Sequence, residues 1–529
     1  MVLEGLQNMI GMHSPEFEIV GVGHNGEEAL SLARELRPDV ILMDIRMPVK
    51  DGIAAIREIK RQDPAPRVIV LTTFDDDDLI VRALQAGADG YLLKDVTAPE
   101  LRAALRSVRD GYASISPAVA TKMARRLAAD FERFREGLPP DPRAHIAETY
   151  GLDITGEYGG RRLRNPFGKA SGQLSLNARQ VQRDHQAGLG FVVLKTVIAQ
   201  DASGGQSMHE WAIPETHMRV ERIVAPDGTP GWTVTWKGRG WYDTFDAYCA
   251  LLGEALAIGG EAMPVAASVK YHLPAPGEKE FREEEYRYTT ARLMEVWVRH
   301  VPGPLILEKD FSPTLAGDDR SREQAQIVYW LSRVPDLIRA SAPAGSPGIA
   351  LGIKLMNARF DDDFQAEMVR AVVDEPRTPP DFLICWNRLF DPHREFEGKR
   401  GVAYGGPELS QRNLRCLRRV RCWRRAGRIE RPLPPISGTG DIVSGKRAVE
   451  YALLGATSCQ MHTLFQLPDT EFAAITRDKS VAVLHHLLFH PESGLVAWLL
   501  HLREQLGRRE LAWLELPALD ADREEATAP

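Results

Sequence analysis

Several short apolar runs in this 529-residue chain end in side chains that could hold a ligand. Lys195 ends Phe191-Val-Val-Leu-Lys, Lys270 ends Val265-Ala-Ala-Ser-Val-Lys, and Lys354 ends Ile349-Ala-Leu-Gly-Ile-Lys. Ser171 lies in Gly168-Lys-Ala-Ser-Gly, Lys309 ends Leu305-Ile-Leu-Glu-Lys, and Asn387 follows Phe382-Leu-Ile-Cys-Trp. Two glycine-rich stretches come last: Ile436-Ser-Gly-Thr-Gly-Asp441, and Gly455 through the apolar run Ala456–Met461 to His462-Thr463. Turns of this kind expose backbone N–H groups and make a phosphate clamp. Any one strand-end lysine reads as an ordinary residue; four of them beside such a clamp do not. A second constellation lies near the N-terminus, where Asp44 and Thr72 end apolar runs and Lys94 follows Gly90-Tyr-Leu-Leu. An acid, a hydroxyl and an ammonium on neighbouring strand ends suit a phosphoryl acceptor with its charge clamp.

The elements that must position these groups alternate between two periods. Gly168–Gly172, Phe191–Thr196, Val265–Lys270, Leu305–Lys309, Ile349–Lys354, Phe382–Trp386, Leu433–Ile436 and Ala456–Met461 read as strands, mostly separated by helical patterns. Eight such units predict a (β/α)8 barrel over residues 150–515, with the phosphate clamp after the seventh and eighth strands. Leu152–Leu163 reads as a hairpin with a Gly159-Gly160 turn. In residues 1–128, Glu18–Val22, Val40–Asp44 and Val68–Thr72 alternate with a helical pattern through Ala29, Leu32, Ala33 and Leu36. That alternation predicts an α/β domain with a parallel sheet. Residues 129–149 form the linker, where Pro139-Pro-Asp-Pro142 breaks any helix. Residues 516–529 form an acidic tail.

Composition narrows the function classes. A length of 529 residues exceeds one ordinary domain, and a 44% hydrophobic content fits a soluble globular protein. A net charge of −7 gives no general affinity for nucleic acid. The nine arginines between Arg412 and Arg431 interleave with Leu414, Leu417, Val420 and Trp423, so they read as the solvated face of a barrel helix. The five cysteines form no C-x-x-C pair, which argues against a zinc ribbon or iron–sulfur cluster and suits a reducing cytoplasm. His485, His486 and His490 lack a third partner in the pattern, so no metal site is assigned. Asp75–Asp78 reads as a solvated loop, and no apolar run is long enough for a membrane span.

Two family resemblances follow. Leu42-Met-Asp-Ile-Arg-Met-Pro48 with Asp51-Gly52, Leu71-Thr-Thr-Phe74, Ala86-Gly-Ala88 and Tyr91-Leu-Leu-Lys-Asp95 resemble a response-regulator receiver domain of the type that precedes a LuxR-like helix-turn-helix. The resemblance implies a doubly wound, flavodoxin-like fold with Asp44 as phosphoacceptor, Thr72 and Tyr91 as switch residues, Lys94 as phosphate partner, and a histidine kinase as partner. It starts inside the family's first helix, so the domain is expected to be truncated, without the first strand and its two Mg²⁺-binding acids. No helix-turn-helix pattern follows residue 128.

Asn165-Pro-Phe-Gly-Lys-Ala-Ser-Gly172, Gly190-Phe-Val-Val-Leu-Lys-Thr-Val197, Ile353-Lys-Leu355, Trp386-Asn387, Gly405-Gly406 and Ser437–Thr463 resemble the dihydroorotate dehydrogenases, in order, over roughly residues 150–465. This resemblance implies a TIM barrel that binds FMN. It implies Ala170, Ser171 and Gly172 beside the flavin, Lys195 and Lys354 near its ring, and Gly406, Gly438, Gly440 and Thr463 at the phosphate and ribityl chain. Asn387 would face the substrate, and Ser312 would stand where the family has its proton-abstracting residue. The substrate loop departs from the family: Asp310-Phe-Ser-Pro-Thr314 carries Asp310 and Thr314 in place of asparagines, and Lys237-Gly-Arg-Gly240 replaces an earlier motif. The expected activity is an FMN-dependent CH–CH oxidoreduction on a small-molecule substrate with an unidentified electron acceptor. The alternatives are a receiver that controls the barrel and a non-catalytic flavin-binding barrel. A cytoplasmic homodimer without nucleic-acid or membrane partners completes the expectation.

Overall fold

A computed structural model describes residues 9–10, 16–62, 64–72, 83, 86–94, 96–109, 114–115, 117–212, 218–236, 240–278, 280–311, 323–396, 398–508 and 510–519. The chain divides into two compact units. One comprises Met1–Phe134, Pro139–Asp153 and Phe489–Ala512; the other comprises Arg135–Leu138, Ile154–Leu488 and Trp513–Pro529. Residues 489–512 lie within the segment expected for the barrel but group with the first unit. There, buried Arg503 donates to the Tyr150 carbonyl at 2.7 Å.

The first unit holds a four-stranded parallel sheet in the order β1 (Val40–Asp44), β2 (Arg67–Thr72), β3 (Gly90–Leu93) and β4 (Ser114–Ile115). Val68 and Val70 of β2 join one apolar cluster, while Ile69 and Leu71 join another. A strand whose alternate residues are buried on both sides belongs to a sheet covered on both faces. Residues Glu18–Val22, expected as a buried strand, form none, and Ile19 and Val20 are 40% and 50% exposed. Strand geometry requires a hydrogen-bonded neighbour, and among the described residues this segment has no ladder partner.

The second unit is a closed parallel barrel. Its strands are β5 (Phe167–Lys169), β6 (Phe191–Val193, continued by Val197–Ile198), β7 (Val265–Lys270), β8 (Leu305–Asp310), β9 (Ile349–Lys354), β10 (Phe382–Cys385), β11 (Ile436–Thr439) and β12 (Ala456–Met461). β12 pairs with β5, β5 with β6, and β6 with β7, so the ring closes. The seventh strand begins at Ile436 rather than Leu433, because Pro432, Pro434 and Pro435 bring no N–H to a ladder.

A hairpin (Gly156–Tyr158 with Arg161–Leu163) turns through Gly159 and Gly160, both at positive φ, which suits a tight two-residue turn. Its Tyr158 enters the barrel, stacks on Phe191 with centroids 4.0 Å apart and meets Phe382 edge-on at 4.9 Å. Two antiparallel ribbons extend the loops: Met218–Val224 with Pro230–Trp236, and Leu389–Phe396 with Lys399–Tyr404. The helix Pro407–Arg425 buries Leu409, Leu414, Leu417, Val420 and Trp423, which confirms the arginine-rich run as a barrel helix.

Candidate functional site at the C-terminal mouth of the barrel

Alternation along the strands fixes which side chains share the barrel interior. Glu308 on β8 lies inside, because it accepts from Tyr158 of the hairpin at 2.7 Å and from Gln460 of β12. Asp310, two residues on, therefore faces the same way one layer nearer the mouth, and it stands level with Lys354 across the β8–β9 ladder. Lys309 has the opposite phase. Its amine donates to the carbonyls of Tyr271 and Asp310 at 3.4 and 3.1 Å and lies 4.6 Å over the Phe311 ring. Burial, aided by Lys270, pulls the Lys309 pKa down to about 7. Lys270 is itself buried and caps the Trp211 ring at 4.0 Å.

His462, directly after β12, marks the electrostatic centre of the mouth. Burial first, then the charges of Arg388, Lys195, Lys169 and Lys354, push its pKa down to about 3. A part-buried imidazole whose ring is kept neutral by desolvation first and by four cations second describes a positively charged pocket. Lys195 and Lys354 were expected at this site from the sequence; Arg388 and His462 were not. Arg388 sits at the start of a ribbon with no periodic signal. His462 stands in the quoted motif without a chemical partner nearby in sequence. Lys169 belongs to a structural pair instead, 2.5 Å from Asp184, whose same oxygen accepts from Ser480 at 2.6 Å.

Ser171 joins a hydroxyl chain: its Oγ lies 2.8 Å from Thr196 Oγ1, which lies 2.9 Å from Ser268 Oγ. Ala170 is buried and its N–H donates to the Met461 carbonyl at 2.9 Å. Gly172 faces the His462 ring so closely that a Cβ would fall 2.3 Å from it. Asn387 is tied down through its backbone. Its N–H donates to Leu355 at 2.9 Å, its carbonyl accepts from Asn357 Nδ2, and its side chain accepts from the Arg388 N–H at 3.0 Å. Three buried polar atoms here have no hydrogen-bond partner among the described residues: Asp310 Oδ1, Asn357 Oδ1 and Trp386 Nε1. Buried groups of this kind are ordinarily satisfied, so these point to a ligand position.

At the expected phosphate end, Gly406 (φ 105°) caps the helix Pro407–Arg425, and Gly440 has φ 107°. A Cβ would meet Ile223 at 2.3 Å from Gly406, Asn413 at 2.6 Å from Gly440, and the Tyr451 ring at 2.9 Å from Gly438. These glycines are thus already required by the protein's own packing. Thr463 opens a 3₁₀ turn, Thr463–Gln466. Asp441 follows Gly440 at φ 52° and accepts from Ser410 Oγ on the helix at 3.0 Å. Ser312, Thr314 and Lys237 lie outside the described residues, as does the acidic run 75–78.

In the first unit, Lys94 Nζ donates to Asp44 Oδ2 at 2.5 Å, and the Arg46 N–H donates to Oδ1 at 3.2 Å. Thr72 ends β2 beside β1, and Tyr91 on β3 is fully buried. The three strand ends of the expected phosphoryl site are therefore adjacent. Residues 1–106 match the family model of the response regulator receiver domain. The N-terminal segment is a receiver domain.

This segment is similar to the transcriptional regulatory protein LnrK of Bacillus subtilis, 40% identical over 23% of this chain and 56% of that protein. It is also similar to the transcriptional regulatory protein DegU of Brevibacillus brevis, 42% identical over 22% of this chain and 49% of that protein. The chain thus spans about half the length of these relatives. Among solved structures, DHODH from Eimeria tenella in complex with ferulenol covers 66% of this chain and 86% of its own, with a TM-score of 0.42 and 13% identity. A likeness at that level carries no argument about chemistry. Among the described residues, no group of three or more His, Cys, Asp or Glu could hold a metal, and no helix is long and apolar enough to cross a membrane.

Proposed function

We propose that the barrel is an FMN-dependent oxidoreductase of the dihydroorotate dehydrogenase type, acting on a CH–CH bond of a pyrimidine-like or related small molecule. The observation that carries this reading is neutral His462 surrounded by Lys195, Lys354, Arg388 and Lys169 at the mouth of a closed parallel barrel. Cations in a pocket with polar atoms that lack a partner among the described residues fit an electron-rich ring bearing a phosphate. Bound FMN would supply a two-electron, hydride-accepting ring. Lys195 and Lys354 would hold the ring edge, and Ala170, Ser171 and Gly172 its flank. Gly406, Gly438, Gly440 and Thr463 would hold the phosphate and ribityl chain. Asn387, Asp310, Thr314 and Lys237 would contact substrate, and Ser312 would take the proton released beside the broken C–H bond. The electron acceptor is a separate molecule, and the working form is a cytoplasmic homodimer. The test is the visible spectrum of the purified full chain titrated with FMN. Saturable flavin bands are expected; their absence would overturn the reading.

A second reading concerns control. Lys94 sits directly on Asp44, the arrangement that a phosphoacceptor and its charge partner need. We infer that a histidine kinase phosphorylates Asp44 and so adjusts the barrel's activity. A small phosphodonor should modify the wild type but not Asp44→Ala. Equal barrel activity in both proteins, with and without the donor, would remove this second reading.

A further inference from the structure

An apolar cluster ties the phosphoryl site of the receiver to a helix that arrives from the far end of the chain. Met43 and Ile45 flank Asp44 in sequence, and Tyr91 precedes Lys94 by three residues. All three side chains belong to one buried cluster, which also contains Met123 of the helix Pro117–Arg133. Leu500, on the helix Leu495–Gln505, packs against the same cluster.

Polar bonds hold that distant helix in place. Buried Arg503 donates from Nη1 to the Tyr150 carbonyl at 2.7 Å, and its Nη2 lies 3.3 Å from Met123 Sδ. The Tyr150 hydroxyl in turn donates to Asp130 Oδ2 at 2.8 Å. Three helices, Pro117–Arg133, Pro142–Tyr150 and Leu495–Gln505, thus meet at one joint. Pulling it apart would strand a buried guanidinium, so the helices are expected to shift together.

The covalent path from this joint leads back to the barrel unit. The chain leaves the second unit after Leu488 and re-enters it at Trp513. Just before re-entry, Leu511–Ala512 pairs in parallel with Leu152–Asp153, whose next residue, Ile154, also belongs to the second unit. Trp513 is buried, and its Nε1 donates to the Thr457 carbonyl of β12 at 2.9 Å. β12 ends at Met461, directly before His462. Close-packed interiors yield little and pass strain on, so a change at the cluster's edge reaches the elements built on it.

We propose that the helix Leu495–Gln505 is the receiver's output element: a change of charge at Asp44 shifts it, and the crossing at Trp513 passes the shift to β12. This rests on the receiver controlling the barrel, as inferred above, and the test separates the two. Hydrogen–deuterium exchange of the full-length protein is followed by mass spectrometry with and without acetyl phosphate and Mg²⁺. Intact mass reports whether Asp44 has taken the phosphoryl group.

In the phosphorylated wild type, exchange in residues 495–505 and 456–463 should change about fivefold or more, and Asp44→Ala should not respond. Leu500→Ala, its folding checked by circular dichroism, should still be phosphorylated but lose most of the response. A phosphorylated wild type with unchanged exchange at 495–505 would overturn the proposal, as would a response that stops short of 456–463. So would a Leu500→Ala response equal to the wild type's. If no phosphoryl group is taken up, the control reading falls, and Asp44→Asn decides the helix by itself. Altered exchange at 495–505 in that variant would keep the assignment; unaltered exchange would overturn it.

Discussion

The hydroxyl of Tyr158, carried into the barrel by the hairpin below it, donates to Glu308 Oε1 at 2.7 Å. Gln460 of β12 donates to the same oxygen, while Glu308 Oε2 has no partner among the described residues. The pair ties the barrel floor to the layer directly beneath the proposed site. Burial raises the Glu308 pKa, against the opposing pull of Lys354 and the two hydrogen bonds.

The sign of the pH effect follows from that shift. A carboxyl whose folded pKa is raised contributes stability that is present below its unfolded pKa of about 4.3 and is lost as pH rises through the folded value. Glu308→Gln should therefore gain on the wild type as pH is raised from 4 to 8, measured as the barrel's calorimetric transition. Tyr158→Phe, which deletes one donor, should cost about 1 kcal/mol. An unchanged pH profile in Glu308→Gln would show that Glu308 stays ionised in the fold.

Asp441 occupies the N-terminal turn of the helix Pro407–Arg425 through its bond with Ser410, where the phosphate end of FMN is proposed. Burial lifts its pKa to about 6, against Ser410 and Arg447. Its carboxylate would oppose a phosphate above that pH. Asp441→Asn should bind FMN about fivefold or more tightly than the wild type at pH 8, with riboflavin affinity unchanged. Fluorescence titration of both flavins reads the difference; a parallel change for riboflavin would place Asp441 away from the phosphate.

Lys309 tests how dry the upper barrel wall is. Its pKa falls to about 7, with burial the largest cause. A base with a depressed folded pKa leaves the unfolded state holding the extra proton, so stability rises with pH between about 7 and the unfolded value near 10.4. The wild-type transition should climb over pH 7 to 9, and Lys309→Met should flatten that climb. A climb of equal size in Lys309→Met would assign it to another group.

How much of this was legible beforehand differs between fold and site. Seven of the eight barrel strands follow from short apolar runs alternating with helical periods, because burial on both sides of a strand writes a local pattern, while the first, expected at Gly168–Gly172, forms at Phe167–Lys169. Val40–Asp44 and Arg67–Thr72 were equally legible, and Asp44, Thr72 and Lys94 fall at strand ends as expected. Glu18–Val22 carries the same apolar pattern and still forms no strand, since a ladder is a property of two segments and not of one.

The sequence by itself determined the alternation of strands and helices, the receiver domain, and the lysines that close the barrel strands. Only the tertiary structure decided which of those lysines act together. Phase along β8 turns Asp310 into the mouth and Lys309 away from it, a distinction of one residue that composition does not carry. Closure of the ring brought Arg388 and His462 into one cationic pocket from positions 74 residues apart. It also left Asp310 Oδ1 and Trp386 Nε1 buried without a hydrogen-bond partner among the described residues. Burial and long-range charge are sums over neighbours distant in the chain, and they exist only once the barrel has closed.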